Sequence, residues 1–332
     1  MAGSEGEVVE LVEVGELASQ SGIGRVTVQK IRKAGIEYID DLVMFNPEEL
    51  AERSGLDPEK AQMVILTARR LLASKRRVKR VSTGLELEER MAKRKMFTTG
   101  LSALDELLGG GVAAWEIYEF AGEFGAGKTQ LCHQLAVMVQ LPPDRGGLSA
   151  KAIYVDTEGT FRPERVRAIA ARFGLDGTEA LSNLFVLRPV NVSELEDVVI
   201  EEVPGLVRSG AALVVIDSII ALYRAEFRGR EMLARRQQRI NYLIDWLKRY
   251  GYKYGVAIVY TNQVLTQPVP WGAALKIPAG GNIIAHAATH RFLMRRAGDR
   301  WIVECIDSPR IERGRSVEFV VTEGGLEDAR SK

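Results

Sequence analysis

Eight consecutive residues, Gly122-Glu123-Phe124-Gly125-Ala126-Gly127-Lys128-Thr129, satisfy the pattern G-x-x-x-x-G-K-[ST]. Gly122 and Gly127 permit backbone conformations closed to other residues, so successive N–H groups can turn inward and hold phosphate oxygens. Lys128 can reach the β- and γ-phosphates of a nucleotide, and the Thr129 hydroxyl can ligate Mg²⁺. The expected cradle runs from Gly122 to Gln130, where a helix N-terminus adds its own favourable field. Three further residues suit that nucleotide. The run ALVVID ends in Asp217, the form of a Walker B acid that holds Mg²⁺ directly or through water beside Thr129. Glu158, just after the apolar run AIYVD, can orient or deprotonate an attacking water. The other reading of Glu158 is an acid ahead of a helix at Arg162, contributing a few tenths to about 1 kcal/mol. Gln263 follows the run VAIVYT and is a neutral donor and acceptor able to sense a γ-phosphate.

These groups act together only if the chain brings them to one edge. The run EIYEFA (116–121) reads as a strand and TQLCHQLAVMV (129–139) as a helix, the order that a phosphate loop requires. Further β-rich runs at 152–156, 183–187, 212–217 and 256–261 are separated by helical patterns at 162–173, 192–209 and 231–250. Apolar strands alternating with helices predict an α/β fold with a mostly parallel sheet covered on both faces, and ligands gather at its carboxyl edge. Runs at 290–296, 301–307 and 316–321 lack intervening helices and predict an antiparallel extension.

Ahead of this lies a different pattern. Residues 11–73 read as short amphipathic helices broken at Ser21-Gly22, Asn46-Pro47 and Asp57-Pro58. Two Gly-containing turns, Ser21 to Thr27 and Ser54 to Asp57, each lead into a helix and resemble a helix-hairpin-helix repeat. Such turns present N–H groups to a DNA phosphate without reading sequence, although a purely structural or protein-contact role fits the same turns. Residues 74–96 form a charged linker, with Lys75, Arg76, Arg77, Lys79 and Arg80 followed by Glu86, Glu88, Glu89 and Arg90. The whole predicts three parts: 11–73, a linker at 74–96 and an ATPase-type core at 97–328. A net charge of +1 over 332 residues means that nucleic-acid affinity must come from local patches. No apolar run reaches the length of a membrane span, and the acidic start lacks the features of a signal peptide. Two cysteines far apart, Cys132 and Cys305, argue for packing roles in a reducing compartment.

The segments GEFGAGKTQLCHQLAVMVQLPP (122–143), YVDTEGTFRPERV (154–166), LVVIDSIIALYRAEF (213–227), GREMLARRQQ (229–238), TNQV (261–264) and GGNIIAHA (280–287) resemble those of the archaeal and eukaryotic strand-exchange recombinases, cousins of bacterial RecA. The resemblance implies a RecA-like ATPase core behind a helix-hairpin-helix domain, using ATP and Mg²⁺. It implies a filament of self-associated subunits on single-stranded DNA, pairing with a homologous duplex, with other recombination proteins as possible partners. The compartment would be cytoplasmic and nucleoid-associated in an archaeon, nuclear in a eukaryote. By position, Lys128 and Thr129 bind phosphate and Mg²⁺, Asp217 is the Walker B acid, Glu158 the catalytic carboxylate and Gln263 the sensor. His286 matches a residue that the family places near a neighbouring subunit's γ-phosphate. Two loops would face DNA. One carries Arg224, Arg228, Arg230, Arg235 and Arg236, a density able to neutralise several phosphates. The other, 264–281, holds Pro268, Pro270, Trp271, Gly280 and Gly281. Trp271 fits either base stacking or packing.

Two departures fall on surfaces between subunits. Where the family has a docking Phe-x-x-Ala segment, this chain reads Val81-Ser82-Thr83-Gly84, and the loop that usually continues Leu-Pro-Glu reads Arg310-Ile311-Glu312-Arg313. A different class of function therefore stands beside the recombinase: a mediator or regulatory paralogue that binds DNA or a recombinase and uses ATP as a switch.

Overall fold

The computed structural model describes residues 11–75, 81–229, 231–267, 275–281 and 287–329. Arg76, Arg77, Lys79, Arg80, Arg230, Pro268, Pro270, Trp271 and His286, all singled out in the sequence, lie outside the described residues. The chain divides into two compact units, Met1–Met91 and Ala92–Lys332.

In the first unit, helices span Arg25–Lys33, Ile39–Leu42, Pro47–Ser54 and Pro58–Lys75. Leu17, Ile31, Ile39, Leu42, Leu50, Val64 and Ala68 are fully buried between them. Helix starts follow the sequence signals: Asn46 and Glu49 form a reciprocal capping box before Pro47. The two Gly-containing turns are tied to each other's helices. Lys30 donates from the first hairpin's helix to the Gly55 carbonyl at 2.8 Å, and Lys60 donates from the second to the Gly22 carbonyl. Within the stretch read as a charged linker the chain forms a helix, Gly84–Ala92, none of whose residues is buried. Thr83 and Glu86 explain it: each side chain bonds the other's backbone N–H, a capping box sufficient to start a helix on a solvated run.

The second unit is built on one sheet. Its strands are β1 (Ile117–Gly122), β2 (Lys151–Asp156), β3 (Leu184–Leu187), β4 (Ala211–Asp217), β5 (Ala257–Asn262), β6 (His290–Ala297), β7 (Arg300–Asp307), β8 (Ser316–Thr322) and β9 (Gly325–Asp328). Their order is β9-β8-β7-β6-β1-β5-β4-β2-β3. From β6 to β3 all neighbours are parallel; from β6 to β9 they are antiparallel. The expected antiparallel extension is present, and its first strand also closes the parallel half by pairing with β1. β9 was not legible because Gly325-Leu326-Glu327-Asp328 has one apolar side chain to bury. Central strands β1 and β5 are buried at every residue, as a sheet covered on both faces demands.

The helical pattern at 192–209 is not one regular helix. It runs as α-helix Val192–Asp197, a wider π-turn Val198–Glu202 and α-helix Val203–Arg208. Pro204 lacks an N–H and its ring crowds the carbonyl one turn back, so the widened turn absorbs what a regular helix could not. The long helix Leu233–Tyr254 runs past its expected end and stops at Gly255 in the left-handed conformation, φ 67°.

Candidate nucleotide site

β1 ends at Gly122, and the helix Lys128–Met138 begins six residues later. The turn between them calls for glycine. A Cβ on Gly122 would lie 2.4 Å from the Met294 carbonyl oxygen of the neighbouring strand, and Gly127 has φ 89°. The loop lines a cleft of about 790 Å³ together with Thr129, Gln130, Glu158, Thr160, Asp217, Gln263, Trp301 and Val321. All the described residues expected to act on a nucleotide therefore converge on one cleft at the sheet's carboxyl edge. Phe124 is fully exposed at the loop tip, and Glu123 pairs with Lys276 at 2.7 Å. Gln130 accepts from Arg165 Nε at 2.9 Å.

Each polar group is held. Lys128 Nζ donates to the carbonyls of Gly122 (2.9 Å) and Glu123 (2.8 Å), placing the ammonium inside the loop. Burial pulls its pKa down, while Asp217 and Glu158 act the other way. Asp217 is buried and receives three hydroxyls: Thr129 Oγ1 at 2.8 Å, Tyr154 at 2.8 Å and Thr261 Oγ1 at 2.5 Å. Burial and Asp217 raise the Tyr154 pKa well above its ordinary value, so that phenol stays a donor. Glu158 is exposed; its Oε1 receives the Ser218 hydroxyl and, at 3.4 Å, Gln263 Nε2.

Behind the loop, the buried His133 bonds Thr129 O through Nδ1 at 2.7 Å, and its Nε2 meets the Arg162 N–H at 3.1 Å. A carbonyl only accepts and an amide N–H only donates, which fixes the proton on Nδ1. Burial lowers the His133 pKa, in keeping with a neutral ring.

The donor set fits a triphosphate with Mg²⁺. The loop is a cradle that a Cβ would fill, and the hydroxyl and carboxylate a magnesium ion needs stand side by side at Thr129 and Asp217. Among the described residues no cluster of three or more His, Cys, Asp or Glu side chains could hold a metal alone.

The Rad51 family profile matches residues 89–329. This chain belongs to the Rad51 family. A profile for a SAM-like helix-hairpin-helix tandem matches residues 14–70. DNA repair and recombination protein RadA of Metallosphaera sedula is 38% identical over 331 residues, covering 97% of this chain and 98% of the relative. The fold is accordingly a RecA-like α/β core with a mostly parallel sheet, preceded by a helix-hairpin-helix domain.

The arginines expected on one loop at 224–236 are divided among three elements: Arg224 lies on helix Ala221–Glu226, Arg228 in the connection that follows, and Arg235 and Arg236 in the first turn of helix Leu233–Tyr254. Arg224, Arg228 and Arg235 are exposed and Arg236 is half-buried. Arg228 Nε donates to Ala225 O at 2.8 Å, Arg235 stacks over the Phe227 ring at 5.7 Å, and Arg224 Nη1 donates to Gln263 Oε1 at 2.5 Å. The second loop leaves the sheet through an antiparallel ribbon, Val264–Gln267 with Leu275–Pro278. Gly280 and Gly281 end it at φ 105° and 65°.

Sequence reasoning missed several residues here. Tyr154 and Thr261 hold Asp217 from strands whose side chains read only as apolar or β-prone. Trp301, on β7, bonds the Gly125 carbonyl at 2.9 Å and packs with Phe319 beneath Gly127. No local pattern signals a residue that reaches the loop from the antiparallel extension. Cys132 and Cys305 are buried and unbridged, as their separation predicts.

Proposed function

We propose that this chain is a DNA-dependent ATPase of homologous recombination, which assembles on single-stranded DNA with ATP, pairs it with a homologous duplex and exchanges strands. The observation that carries the reading is the convergence of Lys128, Thr129, Asp217, Glu158 and Gln263 on one cleft in a member of the Rad51 family. Mg²⁺, when bound, supplies positive charge to the β- and γ-phosphates. The N–H groups of the loop and Lys128 hold phosphate oxygens; Thr129 and Asp217 hold the ion; Glu158 orients and deprotonates water; Gln263 senses the γ-phosphate. DNA is the scaffold and is not chemically altered. The testing experiment is ATP hydrolysis with and without single-stranded DNA, followed by strand exchange between a circular single strand and a linear duplex. A protein that binds ATP yet pairs no strands would support the regulatory paralogue.

Two outcomes follow for DNA and for assembly. Arg228→Ala with Arg235→Ala should flatten the salt dependence of single-strand binding by about 0.7 in the log-log slope for each phosphate left unneutralised. Anisotropy titrations over a salt series read this directly. An unchanged slope would mean that those arginines serve Phe227 and the local backbone alone.

Val81 is 80% exposed and Gly84 opens a helix. Val in place of a docking Phe forfeits on the order of 1 kcal/mol at each junction, at about 25 cal/mol per Å². Self-association without DNA should therefore be weak at micromolar concentration and should strengthen in Val81→Phe with Gly84→Ala. Light scattering of both proteins decides. Stable large oligomers of the unmodified chain would place the limiting contact elsewhere.

A further inference from the structure

Gln263 is held between two charged groups that belong to different halves of the proposed activity. Its Oε1 accepts from Arg224 Nη1 at 2.5 Å, and its Nε2 points to Glu158 Oε1 at 3.4 Å. The amide orientation follows from chemistry, since a guanidinium only donates and a carboxylate only accepts. Glu158 Oε1, the atom that would take a proton from water, is thus already engaged by Gln263 and by the Ser218 hydroxyl.

We propose that Arg224 is a positioning residue that couples DNA to ATP hydrolysis by holding the Gln263 side chain against Glu158 until a DNA phosphate captures the guanidinium. The inference rests on the function proposed above and adds its regulation.

The surroundings confine the motion to one side chain. The Gln263 backbone is pinned: its N–H donates to Asn262 Oδ1 at 2.8 Å, and its carbonyl accepts from Ala279 N at 2.8 Å. Asn262 is itself buried, donating to Glu119 Oε1 and Ala279 O, both at 2.7 Å, and Glu119 pairs with Arg291 at 2.5 Å. The helix carrying Arg224 is fixed at its base, where Tyr223 donates to the buried Glu196 at 3.0 Å and Glu226 accepts from Val192 N at 2.5 Å. Between these anchors the Arg224 and Gln263 side chains meet at an exposed contact. A phosphodiester anion is a stronger acceptor for a guanidinium than a neutral amide oxygen, because it adds ion–ion attraction and can accept two parallel N–H bonds. Capture of Arg224 frees Gln263 Oε1, and the amide can then turn from Glu158 toward the cleft it lines.

The test is steady-state ATP hydrolysis by the full chain, with and without a saturating thymidine oligonucleotide, for the unmodified protein, Arg224→Ala, Gln263→Ala and the double variant. Circular dichroism confirms folding and anisotropy confirms saturation. The expected result is a stimulation ratio that falls to within about twofold of unity in each single variant, with no further loss in the double, as for groups acting in series. A merely structural role, or a simple phosphate contact, would be overcome at saturating DNA and would leave the ratio intact. If the unmodified protein is stimulated and Arg224→Ala is stimulated equally, or if the two substitutions act additively, the coupling is refuted while the function stands. If the unmodified protein hydrolyses ATP without responding to DNA, the proposed function falls and this inference with it.

Discussion

Lys128→Ala should abolish tight ATP binding, whereas Glu158→Gln should bind ATP almost unchanged and hydrolyse it about 10²–10⁴-fold more slowly, the usual span for a positioned general base. The division comes from where each group sits. Lys128 lies inside the phosphate loop, its ammonium held by the Gly122 and Glu123 carbonyls. Removing it deletes the cation of the cradle and leaves those carbonyls facing phosphate. Glu158 is exposed at the end of β2, and its partners are Ser218 and Gln263 rather than the loop. Glutamine preserves its shape and those contacts but removes the charge that accepts a proton. Equilibrium binding of a fluorescent ATP analogue separates the effects from turnover. Equal loss of binding in both variants would sink the assignment of Glu158 to the water, since removing a carboxylate needed for the chemical step alone lowers kcat without raising Kd.

The sequence disclosed the site's chemistry more fully than its supports. A phosphate loop is legible because its glycines, lysine and threonine are fixed by a local turn, and Asp217, Glu158 and Gln263 are legible because each follows an apolar strand at the edge where ligands bind. The inner strands β1, β2, β4 and β5 were marked for the same reason: burial on both faces leaves continuous apolar runs, whereas β3, at the sheet's edge, is only partly covered. What stayed hidden depends on contacts across long sequence separations. Glu119 reads as an interruption in EIYEFA, yet it is buried and joined to Asn262 and Arg291. Trp301 reaches Gly125 from β7. The helix at Gly84–Ala92 went unread because Glu86 was weighed as charge in a linker and Thr83 as part of a docking segment, and not together as a capping pair.

Glu116 is the clearest case of such a hidden residue, and its removal should bring the largest loss of stability. Its buried carboxylate accepts from Arg310 Nη1 (2.6 Å) and Nη2 (3.0 Å), Tyr118 (2.6 Å) and His290 Nε2 (3.1 Å), with Arg94 at 3.4 Å. Arg310 also donates to the Leu108 carbonyl at 2.9 Å. Arg310 thus turns inward and ties the segment after β7 to the start of β1. Glu116→Ala would leave the buried Tyr118 hydroxyl and His290 ring without their acceptor and deprive the partly exposed Arg94 and Arg310 of their carboxylate, a loss of about 1–3 kcal/mol. The same contacts predict an acid response. Burial alone would raise the Glu116 pKa; the hydrogen bonds from His290 and Tyr118, the His290 charge and Arg310 outweigh it and bring the carboxyl from 4.5 to about 2. A carboxyl whose folded pKa is depressed contributes stability that is fully present above its unfolded value and is lost as pH falls toward its folded one. The contribution is on the order of 3 kcal/mol, lost between about pH 4.5 and about pH 2. All four tryptophans lie in the second unit, so their fluorescence during urea denaturation reports the stability of that unit. Between pH 5 and pH 2.5 the unmodified protein should lose markedly more stability than Glu116→Gln, which starts lower and has no carboxyl to protonate at that position. Parallel losses would show that other carboxylates govern the acid response, and a Glu116→Ala cost below about 1 kcal/mol would show that Arg310 and Arg94 find water when their partner is gone.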